Sequence, residues 1–259
     1  MLRSLTPILL GTALFLARPA FAAAALAPPA SSPLPNMVHI GPAGQGTDAF
    51  VAWPAGNASA PALIMVHEWW GLEAEIRDMA RKLSRQGYVV IIPDLYHGRA
   101  AQDPERAHEL MRGLEDSRVS GELDAARAWL RGQPRCEKSR IGVIGFCMGG
   151  GYALRFALRG GDLAAAVMFY GAPETDVDKL AGLKAPLLGH FGGEDEGIGA
   201  DRVDAFRSAL QKAGKVAEIH VYRGAGHAFM NESRPSFHPD AARVAWARTL
   251  AFFQKYLKH

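Results

Sequence analysis

One stretch near the middle of the chain constrains the fold more than any other. Residues 141–144 form a short apolar run typical of a buried strand, residues 145–150 read GFCMGG, and a helical pattern follows over 152–158. A strand, a sharp turn and a helix in this order are typical of a nucleophile elbow, with Cys147 at the position of the nucleophile. The residues beside the nucleophile must be small, because the strand and the helix close together on a strained turn.

The elbow predicts a reactive thiol. It directs the first amide groups of the new helix towards Cys147, where they are ready to donate to an oxyanion. The alternative is a small buried cysteine before a glycine-rich turn, since free cysteine is among the most buried residue types. The chain has two cysteines, Cys136 and Cys147. A predicted strand separates them, whereas bridged Cα atoms must lie within about 7 Å, so Cys147 is expected to be free.

Apolar runs alternate with amphipathic patterns along most of the chain. Besides the elbow, strands are predicted at 48–54, 62–66, 88–92, 163–169, 186–191 and 218–222, and helices at 73–85, from 103, at 120–130, 201–212 and 239–258. The alternating pattern of 48–54 is typical of an edge strand. This rhythm predicts an α/β fold over residues 37–259, a single domain with a mainly parallel central sheet and helices on both faces.

Composition narrows the class of partner. Hydrophobic residues make up 49% of the 259 residues, which is enough for a sizeable core. The formal charge is +3, and lysine and arginine are scattered along the chain. A nucleic-acid-binding surface needs a basic stripe, so we expect a small-molecule partner and no nucleic acid.

The first residues have the pattern of an export signal. A short basic start, an apolar core over 8–16 and the small residues of Ala20-Phe21-Ala22 predict a cleaved signal peptide over residues 1–22. Residues 23–36 are rich in alanine, proline and serine, which predicts a flexible linker. We therefore expect a periplasmic or secreted protein with no stable membrane association after signal removal. An overlong start or a disordered tail is the alternative.

Two further residues follow predicted strands and join Cys147 as candidates. Asp195 follows the strand that ends near 191, and His227 follows the strand that ends near 222. Reactive groups in such sheets gather beyond the carboxyl ends of the strands. The order nucleophile, acid, histidine is that of α/β hydrolases, in which the histidine moves the proton and the acid fixes its tautomer. Glu194 or Glu196 remains an alternative acid, and His227 has the alternative of a capping or packing role.

The segment after the first buried strand has part of a zinc-binding pattern. His67-Glu68 begins like a zinc motif, but the fifth position is Gly71, so we predict no metal. Glu68 is a candidate local base or ion-pair partner for the thiol. Its alternative is a surface glutamate before a helix.

The same loop is expected to complete an oxyanion hole. The backbone N–H of Trp69 and that of Met148, directly after the nucleophile, are the predicted donors. Trp69 and its neighbour Trp70 are candidate pocket walls, and core packing is the alternative.

These motifs together resemble the dienelactone hydrolase family, the carboxymethylenebutenolidase branch of the α/β hydrolases. The similarity extends from about Pro61 to the C-terminus, and it is carried by VHEWWG at 66–71, PDLY at 93–96, GFCMGG at 145–150, the turn 193–195 and GAGHAF at 224–229. The resemblance implies an α/β-hydrolase fold and a catalytic triad of Cys147, Asp195 and His227. It also implies that Glu68 pairs with the thiol.

The resemblance extends to substrate binding. Arg99 matches an arginine that holds the substrate carboxylate, whereas Asn231 stands where the dienelactone enzymes carry a second arginine. With Trp70, these are the predicted substrate-binding residues. The resemblance implies hydrolysis of a small ester or lactone through an acyl-enzyme, without a cofactor. We expect a monomer. The alternatives are a short-chain carboxylesterase or thioesterase for neutral esters, and a non-catalytic periplasmic binding protein.

Overall fold

The computed structural model describes residues 1–2 and 36–258. Apart from residues 1–2 and 36, the predicted signal peptide and linker lie outside this described part. The strands are β1 (Met37–Ile40), β2 (Thr47–Ala52), β3 (Ala60–Val66), β4 (Val89–Pro93), β5 (Cys136–Phe146), β6 (Ala165–Phe169), β7 (Leu187–Gly192) and β8 (Ala217–Tyr222). The helices are α1 (Ala74–Arg85), α2 (Pro104–Arg112), α3 (Asp116–Gly132), α4 (Met148–Leu158), α5 (Val177–Leu180), α6 (Ala200–Lys212) and α7 (Pro239–Leu257). Within the described residues, every helix is too short or too polar to cross a bilayer.

All eight strands form one sheet in the order β1-β2-β4-β3-β5-β6-β7-β8. The two pairs that involve β2 are antiparallel, and the pairs from β4 through to β8 are parallel. Parallel strands need crossovers, which the intervening helices supply. The predicted mainly parallel sheet is confirmed.

The helices cover both faces of the sheet, and β3 shows why. Its side chains alternate between two cores: Ile64 and Val66 pack on one face, and Leu63 and Met65 pack on the other. Helices α1 and α7 cover the second face, and α2, α3, α4 and α6 cover the first. A strand buried on both faces has to be apolar at every position, as β3 is.

The prediction of an edge strand at 48–54 is wrong. Strand β2 pairs with β4 on one side and with β1 on the other, so β1 is the edge. The short segment MVHI of β1 was not predicted, because four residues beside a proline-rich linker have too little pattern to indicate a strand. The helix after the elbow also begins earlier than predicted, at Met148.

Candidate active site

Cys147 lies on a strained turn between β5 and α4. Its backbone has φ 54° and ψ −121°, a conformation that residues other than glycine rarely adopt. The turn fits only because its neighbours are glycines: a Cβ added at Gly145 would overlap the carbonyl of Gly149, and one at Gly149 would overlap the carbonyls of Val66 and His67. The predicted elbow is therefore present as a backbone structure, and it holds the thiol half-buried.

The thiol, an imidazole and a carboxylate form one line of contacts. His227 Nε2 lies 3.1 Å from Cys147 Sγ, and His227 Nδ1 lies 2.7 Å from Asp195 Oδ2. These three residues come from the loops after β5, β7 and β8 and are brought together by the parallel sheet. Both cysteines have free thiols, as expected for Cys147.

Asp195 is held in place by its own turn. Its Oδ1 accepts hydrogen bonds from the backbone N–H of Gly197 and of Ile198, which leaves Oδ2 for the imidazole. The neighbouring acids Glu194 and Glu196 are exposed. Of the three acids considered from the sequence, Asp195 is the one in contact with His227.

The electrostatics of this line favour an imidazolium. Burial alone would lower the pKa of His227, but hydrogen bonds to Asp195 and Cys147 raise the pKa to about 10. Burial acts to raise the pKa of Asp195, but the hydrogen bond from His227 and those from the Ile198 and Gly197 amides outweigh it and lower this pKa. The arrangement suits a proton held on the ring between the Cys147 sulfur and the Asp195 carboxylate.

Glu68 is buried beside this line, in a small network of its own. Its carboxylate accepts a hydrogen bond from the Tyr170 hydroxyl at 3.2 Å and one from Asn231 Nδ2 at 2.6 Å. Burial raises the pKa of Glu68, against the opposing effects of these two hydrogen bonds and of the charges on His227 and Arg234. Asn231, a predicted substrate-binding residue, is thus held by Glu68.

Tyr170 was not predicted as a site residue. Its ring centre lies 5.1 Å from that of His227. The side chain is fully buried, and the backbone has a positive φ of 37°. Burial raises its pKa well above the usual value, so the hydroxyl stays protonated and donates to Glu68. Its place in the sequence could have indicated a site residue, because Tyr170 directly follows β6 at the same sheet edge as the other site residues.

A cavity of about 160 Å³ opens beside the network. It is lined by Glu68, Trp70, Gly71, Glu73, Glu75, Ile76, Asp78, Met79, Lys82, Phe146, Tyr170, Met230, Asn231 and Glu232. Cys147 and His227 are not among these lining residues. Tyr170 on the cavity wall has its ring centre 5.1 Å from that of His227, so the cavity lies beside the contact line.

The two tryptophans have different environments. Trp70 lines the cavity, and the guanidinium carbon of Arg234 lies 3.6 Å from its ring centre. Trp69 packs edge-on against His108 of α2, with ring centres 4.7 Å apart. Arg234 also donates to Glu73 at 3.2 Å, which connects the loop after His227 to the start of α1. No pattern in the sequence predicts this position of Arg234.

Arg99 lies elsewhere. Its side chain is exposed, its Nε donates to the carbonyl of Tyr96 at 3.0 Å, and it is not among the residues that line the cavity.

The candidate oxyanion donors occupy the ends of two elements. Met148 is the first residue of α4, whose opening N–H groups have no partner within the helix. Trp69 follows β3, and the Tyr96 hydroxyl donates to its carbonyl at 3.0 Å. His67 stiffens this loop: Nε2 accepts from the Leu95 N–H at 3.2 Å, so Nδ1 donates to the Glu68 carbonyl at 2.6 Å.

In the described residues, no group of three or more His, Cys, Asp or Glu is arranged to hold a metal ion.

Comparison with known proteins gives the same family as the motifs. The family model described as "Dienelactone hydrolase family" matches residues 47–257. A Salmonella typhimurium protein named "Putative carboxymethylenebutenolidase" is 35% identical over 257 residues, which covers 88% of this chain and 94% of the relative. A Bradyrhizobium protein named "Probable 2-oxo-3-(5-oxofuran-2-ylidene)propanoate lactonase" is 32% identical, covering 86% of this chain and 94% of its own.

The chain belongs to the dienelactone hydrolase family. A crystal structure titled as a putative dienelactone hydrolase from Klebsiella pneumoniae superposes with a TM-score of 0.79 at 33% identity, covering 85% of this chain and 98% of that one. The likeness confirms the α/β-hydrolase fold that the motif resemblance implied. As a member of this family, the protein is a hydrolase of the lactone or ester type.

Proposed function

We propose that this dienelactone hydrolase family member cleaves a small ester or lactone through an acyl-enzyme on Cys147. The observation that carries the proposal is the contact line from the Cys147 sulfur through the His227 ring to the Asp195 carboxylate, at 3.1 and 2.7 Å. A nucleophile in reach of a base, with the base held by a third group, is the arrangement that nucleophilic catalysis requires.

In the first half of the reaction, the Cys147 thiolate attacks the carbonyl carbon, and the carbonyl electrons move to oxygen. The N–H groups of Met148 and Trp69 hold this oxyanion; one such donor contributes about 3–4 kcal/mol to transition-state stabilisation. The tetrahedral species collapses to a thioester, and the leaving alkoxide takes the proton from the His227 imidazolium. Asp195 stabilises the imidazolium until this proton is transferred.

In the second half, His227 removes a proton from water, and the hydroxide attacks the thioester carbon. Collapse breaks the C–S bond, the sulfur leaves as thiolate, and the carboxylic acid is released. In this proposal Glu68 keeps a buried negative charge near the ring and orients Tyr170 and Asn231 through their hydrogen bonds. No step needs a cofactor.

The charge of the cavity supports a neutral substrate over an anionic one. Five carboxylates line it, those of Glu68, Glu73, Glu75, Asp78 and Glu232. Among its lining residues in the described chain, Lys82 is the one basic residue, and its ammonium is paired with Glu232 at 2.6 Å. Glu73 and Asp78 are paired as well, with Arg234 and Arg81, but the carboxylates still outnumber these cations. An anionic substrate would therefore meet net like charge there, whereas a neutral ester would not. This observation favours the carboxylesterase alternative within the same mechanism.

The test is to trap the covalent intermediate. The enzyme is quenched during turnover of p-nitrophenyl acetate, and its peptides are analysed by mass spectrometry. We expect an acetyl group on the peptide that contains Cys147 and none on the peptide that contains Cys136. Undiminished turnover by the Cys147→Ala variant would show that the thiol is not the nucleophile. A folded protein that cleaves none of a panel of esters and lactones would favour the alternative of a non-catalytic binding protein.

The cellular location of the protein is a separate proposal. The pattern of residues 1–22 supports export and cleavage of a signal peptide. N-terminal sequencing of the protein from a periplasmic extract tests it, and a start close to residue 23 is expected. An intact Met1 on the cell-extracted protein would contradict export.

A further inference from the structure

A second cavity adjoins the one beside the contact line. Its volume is about 230 Å³, and it is lined by Met79, Lys82, Met230, Glu232, Phe237, Pro239, Ala242, Arg243 and Trp246. The two cavities share Met79, Lys82, Met230 and Glu232. The shared residues belong to α1 and to the loop after His227, so the two cavities adjoin there. The second cavity extends to α7, which contributes Pro239, Ala242, Arg243 and Trp246.

Two of the four shared residues, Met79 and Met230, are apolar. The partly buried side chains of Cys147, Met79, Phe237 and Trp246 all pack against one core cluster, and that cluster includes Tyr170. The same cluster includes the Met230 side chain, which is shared by both cavities. A hydrocarbon chain that passes from the first cavity into the second can therefore contact Met79 and Met230 on the way.

An ion pair marks the boundary between the cavities. Lys82 Nζ lies 2.6 Å from Glu232 Oε1, and the two side chains are 40% and 64% exposed. Ion pairs with this exposure are weak, because water competes for both charges. The other connection between α1 and the loop is firmer: Arg234 donates to Glu73 and stacks on Trp70. The loop is thus held tightly beside Trp70 and loosely at the passage to the second cavity.

We propose that the second cavity binds an apolar chain of the substrate, and that the Lys82–Glu232 ion pair is the gate through which the chain passes. The inference rests on the proposed hydrolysis at Cys147 and names its substrate class: neutral esters or lactones with a hydrocarbon substituent too long for the first cavity. The occupant is a hydrocarbon, because Met79, Met230, Phe237 and Trp246 offer it contact and the carboxylates of the inner cavity disfavour an anionic group.

The experiment compares short and long substrates in two series. In the first series the acyl chain of p-nitrophenyl esters grows from acetate to octanoate; in the second the alcohol of acetate esters grows from ethyl to octyl. We expect kcat/KM of the wild-type enzyme to rise at least about tenfold along one series, since each buried methylene contributes favourably. The series that responds identifies whether the acyl or the alcohol side enters the second cavity.

Two variants connect the preference to the second cavity. Trp246→Asp puts a carboxylate on its wall at a half-buried position, and we expect it to abolish the preference for the long substrate while kcat/KM for the shortest stays within twofold. Lys82→Met removes the gate, and we expect it to raise kcat/KM for the long substrate a few-fold. The control is Val221→Asp, an apolar residue of β8 that is 43% exposed and lines neither cavity; it should leave both substrates unchanged.

The outcomes separate the two proposals. If the short ester is cleaved but chain length has no effect in either series, the inference is wrong and the hydrolysis stands. The same holds if Trp246→Asp, shown to be folded by circular dichroism, lowers kcat/KM equally for short and long substrates. If the folded wild-type enzyme cleaves no ester of either series, both proposals fail. If Trp246→Asp does not fold, Lys82→Met decides: an unchanged ratio of long to short substrate overturns the gate.

Discussion

The two ends of β5 each carry a cysteine, and the two residues have opposite properties. Cys136 starts the strand, is 4% exposed and packs in the core under α3, and burial raises its pKa to about 11. Cys147 follows the strand's last residue, is half-buried, and has the His227 ring at 3.1 Å. The difference comes from position: the side chain of Cys136 lies in the core, whereas the elbow turns that of Cys147 towards the site.

A similar contrast applies to the glycines. Gly149 lies beneath the elbow, where an added Cβ would overlap the carbonyls of Val66 and His67. Gly121 lies in α3 with open space around its Cα. The first is required by close packing of backbones, and the second is replaceable. Close backbone packing at the elbow therefore requires glycine at position 149, whereas position 121 of α3 has room for a side chain.

The largest effect should come from removing each thiol in turn. Cys147→Ala should lower kcat for p-nitrophenyl acetate by about 10⁴-fold or more, since loss of a nucleophile removes the covalent route. Cys136→Ala should leave kcat within twofold and lower the free energy of unfolding by about 1–2 kcal/mol through the small cavity it creates. Steady-state kinetics and urea unfolding of both variants measure this. Equal activity losses would remove the functional distinction between the two ends of β5.

The reaction with iodoacetamide should differ next most. At pH 8 we expect Cys147 to be alkylated about 100-fold or more faster than Cys136, because Cys136 is buried and, with a pKa of about 11, is almost entirely protonated. Peptide mass spectrometry over time gives both rates in one sample. In urea the two rates should become similar, and similar rates in the folded protein would contradict the burial of Cys136.

The glycine pair should differ in stability. Gly149→Ala should lower the free energy of unfolding by about 3 kcal/mol, because the added methyl group forces backbones apart. Gly121→Ala is the matched control at an exposed position of α3. It should raise the free energy of unfolding by about 1 kcal/mol through helix propensity. Urea unfolding of the two variants measures both changes. A neutral Gly149→Ala would mean that the elbow tolerates side chains there.

The smallest effect concerns pH. The pKa of His227 is raised to about 10 in the folded protein, whereas an unfolded histidine titrates near 6.5. The stabilisation from this ring is therefore complete below about pH 6.5 and is lost as the pH rises towards 10. The imidazole is 39% exposed, so screening keeps the effect below about 1 kcal/mol. Urea unfolding should show the wild-type advantage over His227→Gln shrinking between pH 6 and 10. A constant difference would contradict the raised pKa.

The substrate-binding residues show what a motif does not determine. Arg99 and Asn231 were assigned from their place in a pattern, but Asn231 bonds to Glu68 and Arg99 is exposed with its Nε on the Tyr96 carbonyl. Arg234, three residues beyond Asn231, is the arginine that reaches Trp70 and Glu73. Loop positions are set by where the chain turns, and these turns have no regular period in the sequence.

The sequence alone determined the α/β architecture, because strands buried on both faces must be apolar throughout and their connecting helices must be amphipathic. It also determined the elbow, since only glycines allow the backbone approach around Cys147. The tertiary structure decided that Asp195, rather than Glu194 or Glu196, contacts His227, and that Tyr170 and Asn231 hold Glu68. These contacts join residues up to 163 positions apart in the chain, so they depend on how the strands are ordered in the sheet.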